Sequence, residues 1–265
     1  MIPEISWSLW LDKRASKGRS LFSLEEAAEA AGGKVEAARA AMHRAVRDHK
    51  VARVGDGFYV VVPSEFRDQG APPYEWVVDA RFARLGRPYY LGLLTAALYH
   101  GASHQKPMET QVVTDRQMRP FRFGDRRVIP IYRKTWPTLD LLQERTSRTG
   151  PFRISGPELT LVDAVRYPRH AAGLDNIATL IREMDKGVKA RLLARVCGQT
   201  GETPMLQRLG WMLRRFGRPK LAEVVLDRLK ARRMDTVPLE TGNDALGPID
   251  PEFHVRVNYM PEPEA

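Results

Sequence analysis

Between Leu21 and Val62 the apolar positions change period twice, in a fixed order. Ser23 followed by Glu26, just ahead of Ala27-Ala28, is a Ser-x-x-Glu capping pattern, which predicts a helix from about Leu24 that stops at Gly32-Gly33. Val35, Ala38, Met42, Ala45 and Val46 then recur at three- and four-residue steps. That spacing predicts a second helix with one apolar face, turning Arg39, His43, Arg44, Arg47 and Lys50 largely towards solvent. Val51 to Val54, the Gly55-Asp56-Gly57 turn and Phe58 to Val62 predict a short hairpin. Ahead of these, Ile5, Leu9 and Leu11 with Trp7 and Trp10 predict a first helix to about Ser16, its tryptophans serving the core rather than a ligand. Helix, helix, helix, hairpin is the order of a winged helix-turn-helix, whose second motif helix enters the DNA major groove. The expected DNA-contacting set is Arg39, His43, Arg44, Arg47 and Lys50, with Arg53 on the wing.

Beyond the hairpin, Gln69-Gly70-Ala71-Pro72-Pro73 has turn chemistry. It divides the chain into a module over residues 1–68, a connector over 69–75 and a mixed α/β domain over 76–265 with a helical second half, an α+β class overall. Trp76 to Leu85 reads as a helix. The run from Tyr89 to Leu98 is too continuously apolar for a surface helix and reads as a buried one ending at His100-Gly101. Gln111 to Thr114 and Arg126 to Tyr132 read as strands with a Gly124-Asp125 turn before the second, and Phe152 to Ile154 as a short third. From Pro157 the helical period returns in five segments, near 158–165, 174–184, 189–196, from Thr203 to about Gly217, and 221–232. A strand over 254–259 closes the chain.

Composition changes this picture little. The 43% hydrophobic and 28% charged content over 265 residues describes a globular protein of about two domains. No apolar run has membrane-spanning length, and Ile2-Pro3-Glu4 opens no secretory leader, so a cytoplasmic location is expected. The lone Cys197 fits a reducing compartment, as a small buried hydrophobe in a helix. Charge changes the picture more. The net +10 is spread unevenly: residues 1–65 hold ten Lys/Arg against nine Asp/Glu, a net of +1, while 66–130 carry +4 and 131–200 carry +5. The positive field sits in the middle of the chain, where it attracts a polyanion or an acidic partner.

No Walker loop, dinucleotide glycine motif or zincin histidine pair occurs. Ser155, Glu158, Thr160 and Asp163 invite a catalytic reading, but Ser155 with Glu158 has capping-box spacing, and Glu158 and Asp163, five apart, do not share a helical face. His100 and His104 flank a glycine loop without the cysteines of a zinc site. Neither catalytic residue, metal nor cofactor is expected. A metal-dependent nuclease hidden in the mixed domain, or a nonenzymatic protein-binding scaffold, remains the alternative.

The segment from Pro88 through Tyr89-Tyr90-Leu91-Gly92-Leu93-Leu94 to His100-Gly101, Gln111 to Thr114, the Ser155-x-x-Glu158-x-Thr160-x-x-Asp163 stretch, Arg166-Tyr167-Pro168, Gly173-Leu174 and Arg208-Leu209-Gly210-Trp211-Met212-Leu213 follow one another in an order that resembles the AbiEi family. Its members are antitoxins and transcriptional regulators of type IV toxin–antitoxin systems, associated with abortive phage infection. The resemblance implies a winged-helix domain that binds operator DNA and represses the operon. It also implies a second domain that neutralises a nucleotidyltransferase-like toxin without a stable complex. Against that family, the near neutrality of the winged module is a departure, which points to operator binding as a homodimer on DNA or with a contribution from the second domain.

Overall fold

The computed structural model describes residues 6–102, 109–184, 187–200 and 202–264. By its packing the chain divides into two units: Met1–Tyr90 with Met108–Arg133 and Glu144–Arg153, and Leu91–Pro107 with Lys134–Gln143 and Ile154–Ala265. Among the described residues no helix is long and apolar enough to cross a membrane. The architecture is a mixed α+β fold.

The first unit opens with α1 (Trp7–Ser16), β1 (Leu21–Ser23), α2 (Leu24–Ala30), α3 (Val35–Arg47), β2 (Val51–Gly55) and β3 (Phe58–Val61). The capping box at the head of α2 is formed: the Ser23 hydroxyl accepts from the Glu26 N–H, and the Glu26 carboxylate accepts from the Ser23 N–H at 2.7 Å. Gly32 and Gly33, at φ of 68° and 83°, turn the chain into α3. β1, β3 and β2 lie in that order in an antiparallel sheet. The strand β1 was not expected; a three-residue strand carries too few alternations to register as a period. The core of these elements is Leu11, Phe22, Ala27, Ala28, Ala38, Ala41, Met42, Ala45, Val51, Tyr59 and Val61, flanked by Trp7 and Trp10. Two expected apolar positions are outside it: Leu9 is 68% exposed and Val35 45%. Ile5 lies outside the described residues.

The same unit continues with α4 (Tyr74–Arg84), which packs on β1, and most of a six-stranded sheet. Ala71 and Pro72, within the expected connector, are buried. The strands are β4 (Tyr89–Leu91), β5 (Glu109–Thr114), β6 (Phe121–Phe123), β7 (Arg126–Tyr132), β8 (Leu142–Ser147) and β9 (Gly150–Ser155), in the order β6-β7-β5-β4-β9-β8. The apolar run from Tyr89 is therefore not one helix. Tyr89, Tyr90 and Leu91 form a strand buried on both faces, Gly92 breaks it, and only Leu93–Tyr99 is helical, as α5. A central strand and a buried helix look alike by periodicity.

The second unit is built on α5, α6 (Pro157–Arg166), α7 (Gly173–Glu183), α8 (Ala190–Thr200), α9 (Thr203–Arg215) and α10 (Pro219–Leu229). α6 is buried from Pro157 to Val165, and α5, α7, α8 and α9 pack around it, while α10 covers α8 and α9. The late strand is shorter than expected: β10 (Val237–Pro238), β11 (Ile249–Asp250) and β12 (Val255–Arg256) form a small sheet in the order β10-β12-β11. This sheet closes tightly on α9, where a Cβ at Gly210 would land in the Phe253 ring. The final residues lie along α7, the Tyr259 hydroxyl donating to Asp175 at 2.7 Å and the Glu264 N–H to Thr179 at 2.9 Å.

Candidate nucleic-acid interface

The exposed face of α3 follows from its own sequence. With Ala38, Ala41, Met42 and Ala45 buried, the helical period sends Arg39, His43, Arg44 and Arg47 outward, and all four are exposed. Arg39 is tied to Glu36 one turn earlier at 3.1 Å, and Arg47 approaches Asp48 at 3.7 Å. Exposed pairs of this kind are weak, on the order of 0.2–1 kcal/mol, so both guanidinium groups can exchange their partner for a phosphate or a base edge.

The other two expected residues do not share that face. Lys50 lies beyond the end of α3, half-buried, and lines a hollow of about 180 Å³ with Asp12 and Arg67. Arg53 is exposed on β2 and lines another hollow, about 300 Å³, with Asp68 and Asp125. Two carboxylates lining the same hollow make Arg53 a poorer phosphate ligand than its exposure on β2 suggests.

The β2–β3 turn is tightly determined. Gly55, Asp56 and Gly57 all have left-handed φ, at 84°, 48° and 77°, and the β2–β3 register shifts between Arg53 and Gly55. Asp56 is held by Arg81 of α4, whose other amino group donates to the Val54 carbonyl at 3.2 Å. Arg81 is 2% exposed, and its guanidinium lies 4.2 Å from the centre of the Phe121 ring. Sequence reading missed this guanidinium and the hollow it borders. The hollow, of about 590 Å³, is lined also by Arg87, Arg116, Arg119 and Arg122, from two separate stretches of chain. Its one sequence signal was the +4 carried by residues 66–130.

The polar stretch at α6 is structural in its visible contacts. Gly156, not Ser155, precedes the helix, and no side chain caps it, so the expected capping box is not formed. Ser155 Oγ instead meets Thr160 Oγ1 at 2.6 Å, and Glu158 accepts the Lys189 N–H at 2.6 Å. Ser155, Glu158, Thr160 and Asp163 are all buried. The His100 ring nitrogen Nε2 sits 2.8 Å from the Ser155 carbonyl, whereas His104 lies outside the described residues. No cluster of three metal-ligating side chains occurs among the described residues. Burial pushes the Cys197 thiol up to about 12, which makes it a packed hydrophobe at neutral pH.

Residues 90–215 match the family described as the AbiEi antitoxin C-terminal domain. Over this segment the chain carries an AbiEi antitoxin C-terminal domain. The matched AbiEi segment begins within β4 and ends with α9. It therefore contains the buried α6 network and Arg116, Arg119 and Arg122, and leaves the α3 face outside. Among solved structures, the RV2827C protein from Mycobacterium tuberculosis has the same fold, with a TM-score of 0.66 at 15% identity over 94% of this chain and 89% of that one. No curated protein matches the chain by sequence.

Proposed function

We propose that the chain is the antitoxin of a type IV toxin–antitoxin system, a repressor of its own operon and not an enzyme. In this reading residues 1–68 are a winged helix-turn-helix that binds operator DNA, with α3 as the recognition helix and the β2–β3 hairpin as the wing. Residues 69–75 connect it to residues 76–265, which neutralise a nucleotidyltransferase-like toxin in the cytoplasm as part of phage defence by abortive infection. The observation that carries the DNA reading is the α3 face, four exposed basic side chains opposite a buried apolar stripe. The AbiEi match over residues 90–215 supports the antitoxin half. A homodimer on a repeated operator would double the number of phosphate contacts available to a nearly neutral module.

The test is a titration of the duplex from upstream of the protein's own operon, alongside a scrambled duplex, over a range of salt. Tighter binding to the upstream duplex, weakening with salt, is the expected result. Equal affinity for both duplexes at every salt concentration would reject operator recognition. Growth rescue by co-expression with the nucleotidyltransferase-like neighbour tests the second half. No rescue at matched protein abundance would reject it.

A further inference from the structure

We infer that the hollow shared by Asp12, Lys50 and Arg67 binds a small acidic α-amino acid, Lys50 and Arg67 taking its two carboxylates and Asp12 its ammonium group. The inference goes beyond the DNA and antitoxin readings and depends on neither.

The three charged residues come from separate elements. Asp12 lies on α1, Lys50 just ahead of β2, and Arg67 in the 3-10 helix Ser64–Gln69 that follows β3. Their backbones are pinned. The Lys50 N–H donates to the Ala45 carbonyl at 2.8 Å and its carbonyl accepts from the Val62 N–H at 2.9 Å, while the Arg67 carbonyl accepts from the Gly70 N–H at 3.0 Å. Their side chains are not. Among the described residues, none of the three makes an ion pair, with one another or with a neighbour. Asp12 also lacks a cation along its own helix, because the residues three and four away are Leu9, Ala15, Ser8 and Ser16.

That arrangement selects a ligand by its charges. Two cations and one carboxylate around one concavity leave a net +1. A plain dianion would match Lys50 and Arg67 but meet Asp12 repulsively, and a neutral amino acid would leave one cation unmatched. Two anionic groups and one cationic group complete the set, which is the charge pattern of aspartate and glutamate. The Arg67 guanidinium can fork a carboxylate, and each of the three contacts is charge-assisted, the stronger kind of hydrogen bond. Buried Leu11 and Val62 form an apolar floor for the methylene groups between them. Size agrees with charge. A hollow of about 180 Å³ has the volume of about six waters, room for a molecule of about ten non-hydrogen atoms and too little for a nucleotide.

The test titrates the full-length protein at constant ionic strength with L-glutamate, L-glutamine, glutarate and inorganic phosphate, followed by amide NMR shifts and by calorimetry. L-Glutamate should bind with a Kd of roughly 0.1–1 mM, the range open to so small a ligand, and should shift the Asp12, Lys50, Val62 and Arg67 amides. Glutamine lacks the second carboxylate and glutarate lacks the ammonium group, so each should bind about tenfold more weakly or worse. Lys50→Gln and Arg67→Gln should each weaken glutamate by a similar factor. Asp12→Asn should abolish the preference for glutamate over glutarate. Asp12 and Arg67 are exposed, so their variants should fold, and circular dichroism checks this. The wild-type ligand series decides the matter even where a variant does not fold. Absence of glutamate binding at 10 mM, or shifts confined to residues away from the hollow, would overturn the proposal. Glutarate or phosphate binding as tightly as glutamate would overturn it too, by showing a hollow that selects anions without regard to Asp12.

Discussion

Asp56 combines two demands that rarely coincide. It occupies a left-handed backbone position between two glycines, and its carboxylate compensates a guanidinium that is 2% exposed. Aspartate and asparagine tolerate that backbone better than other side chains with a Cβ, because their short polar groups bond locally. Asp56→Asn should therefore keep the turn but leave Arg81 charged with a weaker partner, at a cost of about 1–2 kcal/mol. Asp56→Ala loses the partner and adds left-handed strain, about 1 kcal/mol more. Urea melts of the two variants check the ordering, and an alanine variant as stable as the asparagine one would remove the strain argument. Arg81 itself was invisible in the sequence as a structural residue. One arginine among many on an amphipathic helix carries no mark of what it will meet, and the residues it meets are about 25 positions away in the chain.

At the scale of elements, the pattern gave most where local chemistry and burial agree. The capping box, the glycine turn, the α3 face and the β2–β3 hairpin were legible because each is set within a few residues. Tyr89 to Leu98 and β8 were not. A doubly buried strand has no polar face to alternate with, and β8, Leu142–Ser147, shows partly exposed or exposed residues throughout. Arg208 on α9 is half-buried and donates to the Pro238 carbonyl at 2.8 Å. Glu26 shows how four elements are joined by one residue the sequence had assigned only a cap. Its carboxylate accepts from the Ser23 N–H, from Arg14 of α1 and from Arg84 of α4. Partial burial alone would raise its pKa, but the Arg84 bond, the Ser23 N–H and the two nearby positive charges outweigh it and hold the carboxyl below the ordinary value of 4.5. A depressed carboxylate contributes stability that is complete above its unfolded pKa and is lost as pH falls through the folded one. The wild type should therefore lose stability from about pH 4.5 downward, whereas Glu26→Gln, less stable at neutral pH, should show a flatter acid limb. Thermal melts over that range check it, and parallel curves would mean that the network does not couple to this proton.

For the whole molecule, the AbiEi segment was legible through the order of its motifs, while the candidate DNA surface was legible only in part. Four of the six expected contact residues share the α3 face, while Lys50 and Arg53 lie off it and line hollows that also contain carboxylates. The arginine hollow was hidden because its residues come together only through the fold. The proposed division of labour makes a separable outcome. Arg44→Ala with Arg47→Ala removes two exposed guanidinium groups and leaves Ala38, Ala41, Met42 and Ala45 packed, so the fold should survive with a melting temperature near wild type. If either arginine makes a bidentate contact to a base, the double variant should lose roughly 1–3 kcal/mol of discrimination between upstream and scrambled duplexes. If both touch only phosphate, affinity should fall on both duplexes with little change in preference. Toxin neutralisation, assigned to residues 76–265, should be untouched, so the same variant should still rescue growth. Pairing the two assays at matched abundance decides the matter. A folded double variant that binds the upstream duplex normally yet fails to rescue would place the neutralising surface on α3 and move the DNA contact elsewhere.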